Sequence, residues 1–169
     1  TMEIPKPVPA PVKKTASEIF VPLTVAGGIR KLEDIRDLLN AGADKVSINT
    51  AAVENPELLS QAAKVFGSQC IVSSIAAFRK EKGRYQVWVD YGREVTPLDA
   101  VEWARKVEDL GVGEILLTTI NNEGMGQGYD LDLINTIASS ATIPVIACGG
   151  AGSTQDFSDA VLKAGADAV

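Results

Sequence analysis

Two glycine pairs punctuate the chain in the same way. Gly27-Gly28 ends an apolar run at residues 20–25, and Gly149-Gly150 ends another at residues 144–147; a helix-periodic stretch follows each. Glycine at such a corner lets backbone N–H groups approach an anion, and the positive end of the following helix favours negative charge. Phosphate is the natural ligand. A tight turn that needs glycine for its backbone alone would look the same, but two related corners suit a ligand with a phosphate at each end. Asn49-Thr50 closes the run at residues 45–48 on the side of Gly28, where its amide and hydroxyl either complete a phosphate pocket or cap the next helix. After Thr118-Thr119 comes a polar loop with Asn121, Glu123, Gly124, Gly126 and Gly128, which reads as a loop wrapping a ligand or as a flexible connection. Residues 71–75 run into Ala76, where a catalytic strand end would offer a polar group; this one offers a methyl. Asp44, Lys45 and Glu114 put charge at the opposite strand ends, ordinarily a solvated turn.

Composition limits the chemistry further. The 169 residues include no histidine, which removes the commonest general base and the commonest zinc ligand, so carboxylates, Lys, Cys or backbone must act. No metal or other cofactor is expected. Sixteen basic against twenty-two acidic residues leave a net charge of −6 without blocks, which gives no footprint for nucleic acid. Cys70 and Cys148 each sit in an apolar run, as small core residues of a reducing, cytoplasmic protein. No run reaches the eighteen or so apolar residues of a membrane span, and no signal-peptide layout opens the chain.

Short apolar runs alternate with amphipathic stretches. Strands are expected at residues 20–25, 45–48, 70–75, 114–119 and 144–147, with a hairpin-like pair around Gly83 (residues 85–89). Helices are expected at 32–41, 55–66, 97–109, 130–140 and 154–163. Single helices between strands imply right-handed βαβ crossovers and a parallel sheet buried on both faces. Residues 5–12 carry proline at every second position, which predicts an extended arm or linker over 1–18 and a folded domain over 19–169.

The pattern also repeats. Residues 21–28 lie over 143–150, Asp34 falls on Asp156, and Ala41-Gly42-Ala43-Asp44 falls on Ala164-Gly165-Ala166-Asp167. Four strand–helix units separate the copies, so the repeat is a half of four and two halves make eight. Eight units of about 30 residues make a (β/α)8 barrel, typically about 250 residues. The chain therefore reads as an incomplete α/β barrel of TIM type, about strands 3 to 8, with outer helices. Its sheet does not close by itself, and association with another copy or with missing chain is expected.

Residues 22–30, 41–53, 67–70, 113–118 and 149–152 carry a specific likeness. Pro22-Leu23-Thr24-Val25-Ala26-Gly27-Gly28-Ile29-Arg30, Asp44-Lys45-Val46-Ser47-Ile48-Asn49-Thr50 and Gly149-Gly150-Ala151-Gly152 resemble the cyclase subunits of imidazole glycerol phosphate synthase, of histidine biosynthesis. The resemblance implies a duplicated (β/α)8 barrel that joins a bis-phosphorylated substrate to ammonia from a glutaminase partner and closes an imidazole ring. It implies that Gly28, Asn49 and Thr50 hold one phosphate, and that Gly124 and Gly150 contribute to the other. Lys45 and Glu114 would form half of an ammonia gate, and Asp44 would contact the glutaminase. The departures are as specific. The family uses two catalytic aspartates, one on the first strand and one at the end of the fifth; Ala76 stands at the second position, and the first strand is not in this sequence. Glu123 and Asn121 stand where aspartates are usual, and with Ala147-Cys148 they are somewhat similar to the paralogues of surface-sugar amidation. The expected role is that of a cyclase-type chain inactive by itself; the alternatives are a non-catalytic phosphate-binding or assembly fragment or engineered barrel piece, and a paralogue of sugar amidation.

Overall fold

The computed structural model describes residues 8–169. In chain order the elements are α1 (Pro9–Glu18), β1 (Thr24–Ala26), α2 (Leu32–Asn40), β2 (Lys45–Ile48), α3 (Thr50–Glu54) and α4 (Glu57–Phe66). There follow β3 (Ile71–Glu81), β4 (Arg84–Val89), β5 (Glu94–Asp99), α5 (Ala100–Asp109), β6 (Glu114–Thr119), α6 (Leu131–Ala138), β7 (Val145–Cys148) and α7 (Thr154–Leu162).

Strands β1, β2, β3, β6 and β7 lie side by side and all run parallel. A further parallel strand begins at Ala168, which bridges Ile146. This is an incomplete TIM-type barrel with its helices outside. Strand alternation gives the sheet two faces. Val46, Ile71, Ile75, Ile115, Leu117 and Val145 point to the helix layer and are at most 1% exposed. Leu38, Leu59, Val107 and Ile134 close over them from the helices. The other face carries Lys45, Ser74, Ala76, Leu116, Thr118 and Cys148, which are half-buried or exposed. Ser47 and Val72 are buried on this inner face, but the expectation of burial on both faces holds throughout only for the outer one. In a closed barrel the inner face is covered by the opposite wall, and five parallel strands do not reach round to supply it.

Three local expectations are corrected. Residues 9–18 are not an extended arm but helix α1, while residues 1–7 lie outside the described part. Pro9 and Pro11 fall in its first turn, where backbone N–H groups have no intrahelical acceptor and proline costs nothing there. Val12 packs inward, 9% exposed. The helix expected at 55–66 is α4, which begins at Glu57, and a short helix not expected there, α3, precedes it; Asn55-Pro56 separates the two, because proline disfavours helical geometry in the residue before it. Strand β3 runs on past Ser73, the last residue paired to β2, and residues 76–81 pair instead with β4 in antiparallel sense. The second arm of that excursion, β5, is an edge strand and so tolerates Pro97.

The repeat extends to side-chain chemistry. Asp34 accepts from the backbone N–H of Arg30 and Lys31 at 2.9 and 3.2 Å, and Asp156 from Gly152 and Ser153 at 2.9 and 2.7 Å. At the other rim Asp44 accepts from Leu23 N at 2.7 Å, as Asp167 does from Val145 N at 2.8 Å. Among the described residues no helix is long and apolar enough to cross a membrane.

Candidate functional site

The parallel strands point their C-terminal ends to one rim, so Gly28, Asn49, Ala76, Thr118 and Gly150 share it. There a cleft of about 760 Å³ opens on the inner face. Gly27, Gly28 and Arg30 line it after β1, Asn49, Thr50 and Glu54 after β2, Ser74 and Ala76 on β3, and Thr118 and Glu123 on and after β6. Its floor includes Ser47, 3% exposed, whose Oγ has no hydrogen-bond partner. A buried hydroxyl without a partner costs free energy unless something polar meets it.

Gly27 and Gly28 have φ of +98° and +71°, and Gly149 and Gly150 +89° and +109°. These are left-handed conformations that a Cβ disfavours. The amides that lead into α2 and α7 are already engaged, because Asp34 accepts from Arg30 and Lys31 and Asp156 from Gly152 and Ser153. The Asp156 carboxyl is held below its ordinary value of 3.8 by the Gly152 N–H and then by Ser153. An anion at these corners would therefore not be met by those four amides.

Asn49 and Thr50 are partly engaged. Asn49 Nδ2 donates to Ser74 O at 2.9 Å, and Thr50 Oγ1 accepts from Asp90 N at 3.1 Å while donating to Asn49 Oδ1 at 3.3 Å. The contact to Asp90 ties the tip of the β4–β5 hairpin over the cleft, where Tyr91 and Gly92 form part of the wall. Asp90 and Tyr91 hold φ of +47° and +57°, a strained pair for side-chain-bearing residues.

The loop after β6 divides its residues. Glu123 lines the main cleft, whereas Asn121 and Asn122 line a separate hollow of about 410 Å³ with Arg79 and Asp130. Gly124 is exposed, and Gly150 is buried beneath the loop, its carbonyl accepting from Gly128 N at 2.8 Å. Asp130 is 4% exposed; it accepts from Arg79 Nε and Nη2 at 3.0 and 2.5 Å, from Tyr85 Oη at 3.1 Å and from Leu133 N at 3.2 Å. The hydrogen bond to Asp130 raises the Arg79 pKa, and burial, then Asp130, raises that of Tyr85. Burial also raises Tyr129, with Cys148, Asp156 and Glu123 adding to it.

At the far rim Lys45 Nζ and Glu114 Oε1 form a half-buried ion pair across the start of β3. Asp44 lies beside it, its carboxylate given to Leu23 N. The structure thus gathers Gly28, Asn49, Thr50, Thr118, Glu123 and Ala76 around one cleft, keeps Gly124, Gly150 and Asn121 outside it, and puts Asp44, Lys45 and Glu114 at the other end. Sequence reasoning missed Ser47, Ser74, Arg30, Glu54 and Tyr91. The serines were readable as polar interruptions on one face of apolar strands; Glu54 and Tyr91 reach the cleft through tertiary packing alone.

Residues 8–169 match the family described as histidine biosynthesis protein. The chain is 54% identical over 157 residues to imidazole glycerol phosphate synthase subunit HisF of Alkaliphilus metalliredigens, covering 93% of this chain and 62% of that protein. It is 51% identical over 158 residues to the protein of the same name from Clostridium botulinum strain 657, again covering 93% and 62%. The chain thus spans 62% of the length of these curated relatives. With the family match running over all the described residues, the chain belongs to the histidine biosynthesis protein family.

Proposed function

We propose that this chain is part of a cyclase of the imidazole glycerol phosphate synthase type, and that its rim cleft holds a substrate with a phosphate at each end. The observation that carries this is the convergence of Gly27-Gly28, Thr50, Thr118 and Glu123 on one cleft at the C-terminal rim, where barrel enzymes place their chemistry. Gly28 amide and Thr50 hydroxyl meet one phosphate; the Gly124 and Gly150 backbones, which lie outside the cleft while the loop after β6 is in place, meet the other when that loop yields. Ring closure needs a positioned acid and base. On β3, Ala76 presents a methyl to the cleft, and among the described residues the carboxylates that line it are Glu54 and Glu123. A missing positioned acid or base costs about 10²–10⁴-fold in rate, so this chain binds ligand and does not turn it over at a useful rate.

Lys45 and Glu114 form half of a charged gate for ammonia at the opposite rim, and that rim, with Asp44, faces a glutaminase partner. The inner face and the outer strands remain uncovered: Phe20 and Val21 beside β1 are 102% and 67% exposed, and Leu162 on α7 is 81% exposed. Association with another copy or with further barrel chain buries them. The two cysteines are unpaired, which fits a reducing cytoplasm.

The test is ring closure assayed with free ammonia. The expected rate lies at least about a hundredfold below that of a complete cyclase, and Ala76→Asp alone does not restore it. Turnover by this chain equal to that of a complete cyclase would overturn the reading. Light scattering that shows a monomer at high concentration would overturn the association.

A further inference from the structure

One residue of β3 clasps both ends of the loop between β6 and α6. Arg79 N donates to Asn121 Oδ1 at 2.6 Å, and its guanidinium holds Asp130. Between these anchors the loop is laced onto the second glycine corner: Gly128 N donates to Gly150 O and Asn122 Nδ2 to Gly128 O, both at 2.8 Å. This lacing sets Glu123 against Gly149. Where any other residue would carry a Cβ, Gly149 meets the Glu123 carboxylate. At Gly27, the repeat-related position, the same space is empty to 4 Å. The two corners share backbone conformation and N-terminal capping; they differ in that the space beside Gly27 is open, whereas the space beside Gly149 is filled by the chain's own carboxylate and that beside Gly150 by Gly128 O and Asn122.

We propose that Glu123 is a built-in competitor for the second phosphate site, so that a dianion enters the Gly149-Gly150 corner only by expelling this carboxylate. The proposal rests on the reading of both corners as phosphate sites. It follows that the corners have unequal affinity: phosphate fills Gly27-Gly28 first, and the second site fills when the loop yields. Glutamate rather than aspartate matters here. One methylene is about 1.5 Å of reach, and withdrawing the carboxylate by that length frees the corner while leaving the charge on the loop.

Inorganic phosphate is titrated into the full chain while backbone amide resonances are followed, with Gly28 reporting the first corner and Gly149 and Gly150 the second. In the unmodified chain the second corner is expected to saturate at roughly tenfold higher phosphate than the first, the scale of one like charge at contact range. Glu123→Asp brings the two to within about twofold and leaves Gly28 unchanged, and Glu123→Gln does the same. If Glu123→Asp titrates like the unmodified chain while Glu123→Gln tightens, the residue acts only by its charge at a distance and the proposal fails. If Gly28 responds and Gly149 and Gly150 respond in no variant, the second corner is not a phosphate site, and the reading beneath the proposal fails instead.

Discussion

Asp130→Ala removes four hydrogen bonds at once from a carboxylate 4% exposed, and the structure says which of them matter. Arg79 loses the least, since its side chain is 38% exposed and water can replace its partner. Tyr85 is 5% exposed and would lose the carboxylate that its buried hydroxyl donates to, worth about 1–3 kcal/mol. Helix α6 would lose the cap on Leu133 N, worth about 0.5–2 kcal/mol. The terms share one site and do not simply add, so about 3 kcal/mol is expected. Tyr85→Phe, which removes one partner and leaves Asp130 its charged one, is expected to cost about 1 kcal/mol. Urea denaturation of both variants at one protein concentration measures this directly. An Asp130→Ala midpoint within 1 kcal/mol of the unmodified chain would refute the reasoning, because it would mean that neither the cap nor the hydroxyl depends on this carboxylate.

Gly113→Ala places a Cβ against the Ser68 carbonyl; since that obstacle is backbone, a loss of about 2–3 kcal/mol is expected by urea denaturation, and an unchanged midpoint would show that the 68–70 turn yields freely. Glu114→Gln breaks an ion pair whose side chains are 28% and 19% exposed, and calorimetry should find its contribution to folding to be about 1 kcal/mol or less; a much larger loss would mark the pair as a folding element. The depressed Asp156 carboxyl contributes stability that is fully present above its ordinary value of 3.8 and is lost as the pH falls through its lower folded value. In Asp156→Asn that part of the acid-side slope in thermal unfolding should vanish, and an identical slope would deny the carboxylate its capping role.

The barrel was legible in the sequence because period and spacing are local signals. Residues 114–119 alternate between buried and half-buried positions as a strand with one covered face must, and the Gly-Gly corners recur at matched places in the repeat. What escaped is set by tertiary context. Alternating prolines at residues 5–12 spell an extended arm in isolation, yet Pro9 and Pro11 stand where a helix needs no N–H donors, and only the buried Val12 shows that a helix is worth forming. The site was legible in part for the same reason. Gly28, Asn49 and Thr50 follow strand ends and so had to gather at one rim. The loop that covers Gly150 does so through Arg79, whose partners lie 42 and 51 residues away in sequence. Likewise the corner of Gly149 reads as open until Glu123 is seen in it.

The account stands or falls on whether the rim cleft takes a phosphorylated ligand. Calorimetric titration of the full chain with a ribose derivative carrying a phosphate at each end measures this. Saturable binding is expected, with stability raised by about 2.7 kcal/mol at a hundred times the dissociation constant. Ala26→Trp, which fills the cleft from an exposed strand position, is expected to abolish it. No saturable heat, or binding that Ala26→Trp leaves unchanged, would contradict the account.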